Sequence, residues 1–170
     1  FSRDALIESV RSSLKRLQTD TIDVLLLHSD GRDVQILESD ETLEALRSLR
    51  DAGDVRCFGI SAKTTEGIDR ARTCVDVVMA PYGPAHLGLE PALRRARADG
   101  VGVLAIKVLG QGHAVRDTST EADPVARALE RVLVEGVADS AVVGTRSPEH
   151  LRHAAAHAGR IAARAAGGGS

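Results

Sequence analysis

Several groups of residues in this chain have the types and spacing for chemistry. His28 closes the apolar run Leu25-Leu26-Leu27. A neutral imidazole donates from one ring nitrogen, so His28 could orient a substrate carbonyl; the plainer reading is a histidine hydrogen-bonded at a strand end. Gly144-Thr145-Arg146-Ser147 combines a glycine that lets a ligand approach the backbone, a donating hydroxyl and a guanidinium fork suited to phosphate. A helix opening at Pro148 would add unpaired N–H groups and a positive dipole end. The competing reading there is a helix cap beside a chance arginine. Gly110-Gln111-Gly112 with Lys107 makes a companion loop, although a lone G-x-G is common in turns and Lys107 could snorkel from a rim. Ser61 places a hydroxyl at the end of a second apolar run. His150, His153 and His157 fall on or near one helical face, a pattern that invites a metal. With no cysteine or carboxylate held opposite, we read a solvated face. A hydrolase triad of His28, Ser29 and Asp30 is rejected, because adjacent residues rarely converge on one point and no G-x-S-x-G elbow exists.

These groups need elements to hold them. A first helix is expected with Leu6, Val10, Leu14 and Leu17 on one face and Ser2 as its N-cap. Ile22–Leu27 reads as a strand buried on both faces. Leu43, Leu46 and Leu49 mark a helix that Gly53 is placed to end. Val55–Ile60 is a strand, and a weaker helix follows over Thr65–Cys74, loosened by Gly67. Val75–Ala80, Val101–Val108 and Ala138–Val143 read as strands, with helices over Pro91–Ala98 and Val125–Val134 between them. Ser147-Pro148-Glu149 opens a last helix with an N-cap, a first-turn proline and an early acid. The fold is expected to occupy residues 1–164, with 165–170 a flexible tail.

The whole chain has 170 residues, 43% hydrophobic and 27% charged, with a net charge of −2, which is ordinary for one globular core. Without excess positive charge, and with only 2% aromatic residues, nucleic acid is an unsuitable partner. No apolar run reaches the roughly 20 residues of a membrane span. Cys57 and Cys74 lack metal or redox spacing and fit a reducing cytoplasm. The chain begins at Phe1 rather than Met, which leaves two readings open, a natural start upstream of Phe1 or a start here.

Alternating strands and helices imply parallel βαβ units, in an open doubly wound sheet or an arc of a barrel. The first should carry a glycine fingerprint after its first strand, where this chain has His28-Ser29-Asp30-Gly31. Polar or glycine residues follow every strand, as in barrels that keep their chemistry at that face. The expected fold is α/β, a partial (β/α)8 TIM barrel of roughly the last five βα units.

At these residues the sequence resembles the aldo/keto reductase family. Leu14–His28 is similar to its helix-to-strand signature, with Thr21 where Tyr is common. Phe58-Gly59-Ile60-Ser61 resembles the next strand, with Ala62 in place of the usual Asn. Gly102–Gly112 resembles a strand and turn of bacterial members, and Val142–Leu151 the last strand and cofactor helix. The resemblance implies an NADP(H)-dependent reductase of aldehydes or ketones. Of the family's Asp, Tyr, Lys and His, only the His has a counterpart, His28; the single tyrosine, Tyr82, falls on a later strand and is not assigned the acid role. The cofactor contacts implied are Ser61, Lys107, Leu109, Gly110, Gly112, Gly144, Thr145, Arg146 and His150. Met79, Ile106 and His153-Ala154 depart from the family's usual Gln, aromatic and Glu-Asn. The partner implied is a small carbonyl compound, and an open arc is expected to self-associate or to depend on an N-terminal part. The alternative function is a non-catalytic nucleotide-binding or regulatory module.

Overall fold

A computed structural model describes residues 2–83, 86–109 and 123–167. Apolar spacing and caps divide them into α1 (Arg3–Leu17), β1 (Ile22–His28), α2 (Asp33–Leu37), α3 (Asp40–Asp51), β2 (Val55–Ser61), α4 (Thr65–Ala71), β3 (Val77–Pro81), α5 (Glu90–Ala98), β4 (Gly102–Ile106), α6 (Pro124–Leu133), β5 (Ser140–Ala141) and α7 (Pro148–Gly167). The five strands are all parallel and stand in chain order, β1-β2-β3-β4-β5. An open doubly wound sheet reverses its order at a switch point. An unbroken sequential order is that of a barrel arc, so the partial-barrel expectation holds.

Register decides which side chains share a face, because paired residues in parallel strands point the same way and neighbours alternate. Leu27, Ile60, Val78 and Val103 stand side by side across β1 to β4. All four are buried in one core with Leu46 and Leu49 of α3, Ile68 of α4, Leu93 of α5 and Leu129 of α6. The next register row, on the opposite face, is His28, Ser61, Met79, Leu104 and Ser140. Its members are half-buried or exposed. Among the described residues, helices cover one face of the sheet and leave this one open.

Several expectations need correction. β1 is an edge strand whose burial is partial, with Val24 42% exposed, rather than a strand buried on both faces. It lies at the rim of the arc and turns half its residues to the uncovered face. Ser2 stands at the N-cap of α1 but its side chain makes no capping bond, and Leu17 is exposed rather than on the apolar face. β5 shrinks to Ser140–Ala141, because Asp139 turns its carboxylate onto the Val103 amide (2.8 Å) and β4 ends soon afterwards. α4 stops at Ala71 rather than Cys74. α7 continues to Gly167, past the boundary expected after 164, since its alanine-rich end has high helix propensity. α2 was not anticipated. Gly53 does end its helix, at φ +83°.

α2 matters because it begins with a buried carboxylate. Asp33 is 1% exposed, and its Oδ2 accepts from the Lys63 amide (2.8 Å), the Thr64 amide (2.7 Å) and the Thr64 hydroxyl (2.7 Å). Burial alone would raise its pKa; the Ser29 hydroxyl and those three donors outweigh it, so the carboxyl is held below its usual range. Asp33 thereby ties the loop after β1 to the loop after β2. The tie explains Gly67, which looked like a flaw in α4: a Cβ there would lie 2.2 Å from Asp33 Cβ. Gly67→Ala gains about 1 kcal/mol of helix propensity, but overpacking costs roughly 1–3 kcal/mol and here also displaces a buried carboxylate. The variant should therefore be less stable than wild type in urea unfolding. A more stable Gly67→Ala would show that α2 and α4 are not held in this contact.

Candidate functional site

Parallel pairing brings the C-terminal ends of all the strands to one end of the sheet, and the residues singled out from sequence gather there. His28 is the last residue of β1, exposed, and in direct register with Ser61, the last of β2; Ser61 is in register with Met79 of β3. An imidazole, a hydroxyl and a thioether thus stand in one row on the open face. The loop behind His28 is fixed locally. Ser29 is fully buried and its Oγ accepts from the Gly31 amide (3.0 Å). Asp30 accepts from Arg32 through Nε (2.9 Å) and Nη2 (2.7 Å), and that side-chain bond is the main reason its pKa falls to about 2. Ser29 and Asp30 are therefore committed to their own loop, which removes the hydrolase triad on geometric grounds.

At the end of β3, Tyr82 is fully buried and donates its hydroxyl to Glu90 Oε2 (2.7 Å). Burial first, and then that carboxylate, push its pKa up. A phenol held in this way among the helices is poorly placed to protonate anything on the open face. Beyond β4, Lys107 is exposed in a left-handed turn at φ +58°, while Leu109 is half-buried. Gly110 and Gly112 lie outside the described residues.

Beyond β5, Gly144, Thr145 and Arg146 are exposed, and a Cβ on Gly144 would meet nothing within 4 Å. Thr145 Oγ1 accepts from the Ser147 amide (3.1 Å) and Ser147 Oγ from the His150 amide (3.3 Å), which makes Ser147 the N-cap expected of it. Pro148 has no N–H and the His150 amide is taken, so capacity for an anion rests chiefly on the Arg146 guanidinium. Among the described residues Arg146 makes no ion pair. The His150 side chain is exposed nearby.

Two features escaped the sequence. Asp33 lies far from the residues it holds, and the only signal was the misplaced-looking Gly67. The histidine face also needs correction: a carboxylate does stand opposite it. Asp123 Oδ2 lies 2.7 Å from His153 Nε2 and 2.6 Å from His157 Nε2.

The family model described as Aldo/keto reductase family matches residues 1–166. The chain is 39% identical over 94 residues to aldo-keto reductase YhdN of Bacillus subtilis, a match covering 54% of this chain and 28% of that protein. It is 31% identical over 130 residues to methylglyoxal reductase DkgB of Salmonella typhi, covering 69% and 45%. The crystal structure of PA4992 from Pseudomonas aeruginosa superposes with a TM-score of 0.81 at 38% identity, over 93% of this chain and 57% of that one. Aldo-keto reductase AKR11C1 from Bacillus halodurans, in its holo form, shares the fold with a TM-score of 0.79 at 23% identity, over 92% and 62%. The chain spans less than half the length of these curated relatives. No helix among the described residues is long and apolar enough to cross a membrane. The match over nearly every residue, together with an arc of barrel strands in chain order, makes this chain a member of the aldo/keto reductase family of oxidoreductases.

Proposed function

We propose that the chain supplies the cofactor side of an NADP(H)-dependent reductase of aldehydes or ketones. The observation that carries this reading is the register row of His28, Ser61 and Met79 on the open face, at the same end of the sheet as Arg146. The cofactor, when bound, supplies a hydride. The residues present suit such a group: a guanidinium with no ion pair among the described residues, a glycine with open space at its Cα, and a hydroxyl beside the imidazole.

In this reading His28 donates a ring N–H to the carbonyl oxygen and orients it. Ser61, one strand away, hydrogen-bonds the cofactor's carboxamide. Met79 and Ile106 present apolar surface on the same face, Ile106 being in register with Pro81 of β3. Gly144 admits the ligand to the backbone, and Thr145 and Arg146 receive the adenosine 2′-phosphate. Lys107, Leu109, Gly110, Gly112 and His150 complete the cofactor contacts. The free thiols of Cys57 and Cys74 suit a cytoplasmic setting.

The choice of nucleotide tests the phosphate side. Titration of NADPH and NADH should show tighter NADPH binding. Arg146→Ala should remove about 1.5–3 kcal/mol of charge-assisted contact, roughly 10- to 150-fold in NADPH affinity, with little change for NADH. Equal affinity for the two nucleotides in wild type would count against the proposal.

His28 is tested by turnover in a protein carrying the complete barrel. His28→Ala should lower kcat/KM for carbonyl reduction by roughly the 10²–10⁴-fold typical of a positioned acid or base. Unchanged kinetics would exclude the role.

The 170 residues alone should not oxidise NADPH with aldehydes or ketones above background, since Tyr82, the one tyrosine, is bonded to Glu90 and, among the described residues, no Lys or Asp pairs with His28. With one sheet face and both edge strands open among the described residues, the isolated chain should also self-associate. Robust turnover by a monomer would mean that the proton donor has been misplaced.

A further inference from the structure

α7 carries His153 and His157 four residues apart and hence on one face. Asp123 stands opposite, immediately before α6. Its Oδ1 accepts from the Val125 (2.9 Å) and Ala126 (3.3 Å) amides, which caps α6 and fixes the carboxylate. Its Oδ2 is left facing both imidazoles, and donor atoms of all three residues lie within 4.8 Å of one another. The two rings meet edge to face with centroids 4.6 Å apart. The His157 side chain is 16% exposed and that of His153 49%, so the cluster has a packed side and an open side. α6 and α7 are held together around it by Leu129, Val132 and Ala154 in the core and by Arg164 with Glu130 (3.3 Å).

We propose that Asp123, His153 and His157 bind a divalent transition-metal ion of the zinc class. Two imidazoles and a carboxylate suit Zn2+, Co2+, Ni2+ or Cu2+, whereas Mg2+ and Ca2+ require oxygen ligands. Donors around a tetrahedral ion with bonds of about 2.0–2.2 Å stand roughly 3.3 Å apart. Asp123 Oδ2 has therefore to retreat by roughly 0.6 Å from each Nε2, a shift that small rotations of the two side chains supply. The fourth position opens to water beside His153.

Protons set the order of events at His157. Its Nδ1 lies 2.8 Å from Arg160 Nη2, and a guanidinium only donates. Without metal, Nδ1 therefore accepts and the ring proton sits on Nε2, facing Asp123. A metal at Nε2 takes that lone pair, so the proton moves to Nδ1 and Arg160 must swing away; a neutral ring releases no net proton. Arg160 is exposed and free to leave, but it opposes the ion by position and by charge. A carboxylate in its place would accept from Nδ1–H, the second-shell arrangement that strengthens a metal-binding histidine. Neither Arg146 nor His28 takes part, so the metal site stands or falls separately from the reductase reading.

The test uses the metal-free, untagged chain, titrated with Zn2+ by calorimetry and with Co2+ by visible absorption. One ion per chain is expected, with the bands of four-coordinate Co2+ displaced by Zn2+ and no response to Mg2+ or Ca2+. His153→Ala with His157→Ala should abolish binding. Asp123→Asn keeps the helix cap, since Asn caps as well as Asp, and should weaken binding by about tenfold or more; Arg160→Glu should tighten it by about tenfold or more. The last two variants move affinity in opposite directions on a folded protein, so they decide the matter even if the histidine pair disturbs α7. Absence of saturable Zn2+ binding in wild type overturns the site and leaves Asp123 as a hydrogen-bonded tie. So does binding that survives loss of both histidines, which would place the ion elsewhere.

Discussion

Sequential order in an all-parallel sheet is the constraint from which the rest follows. When each strand lies beside its predecessor and every crossover has the same hand, every connecting helix falls on the same face. The helices of this chain accordingly bury Leu27, Ile60, Val78 and Val103 and cannot bury the next row. His28, Ser61 and Met79 therefore face a surface that the described helices leave uncovered because of chain order, whatever their own preferences. In a two-sided α/β sheet the same residues would lie beneath a helix, and an imidazole there would need a buried partner.

The arc then needs devices that fix each strand end, and aspartates supply them at both ends. At the N-terminal end, Asp76, just ahead of β3, accepts from the Phe58 amide of β2 (3.0 Å) and pairs with Arg50 of α3 (3.4 Å). Asp139, just ahead of β5, repeats the arrangement with the Val103 amide of β4 (2.8 Å) and Arg97 of α5 (2.7 Å). In each case the carboxylate before one strand caps an amide of the strand before it, and an arginine from the preceding helix holds the carboxylate. The ion pairs are partly exposed and each is worth little alone; the capped strand amide is the stronger reason for the aspartate. At the opposite end Asp33 ties two loops rather than two strands, and it does so buried, with three short hydrogen bonds to one oxygen.

What the sequence made legible was local. Apolar runs located every strand to within a few residues, and caps such as Ser147 and Gly53 marked their helices. Edge status was not legible, because a run such as Ile22–Leu27 looks the same whether its strand is flanked on one side or two. β5 was overestimated for a related reason: Asp139 prefers to cap β4, an alternative visible only once β4 is its neighbour. Gly67 reads in sequence as a weakness of α4, yet it is the space that Asp33 occupies, 34 residues away. The histidines of α7 read as a solvated face because the sequence shows no carboxylate held opposite them; Asp123 lies 30 residues from His153. Each omission is a contact between residues far apart in the chain, which periodicity does not encode.

The two ends of the candidate site differ in how much order is built in before a ligand arrives. His28 sits on a strand in register with β2, followed by a loop locked through Ser29, Asp30–Arg32 and Asp33. Little freedom remains there to be lost on binding. Arg146 follows a two-residue strand and stands exposed, with no ion pair among the described residues. An arginine side chain carries about 2 kcal/mol of rotamer entropy, and whatever it contributes to an anion is net of the part it surrenders. In the proposed reading the rigid end would fix geometry and the loose end would set affinity. A ligand engaging both, as proposed, would position its reacting group through the β1–β2 loops, while the strength with which it is held would vary with the charge it offers to Arg146.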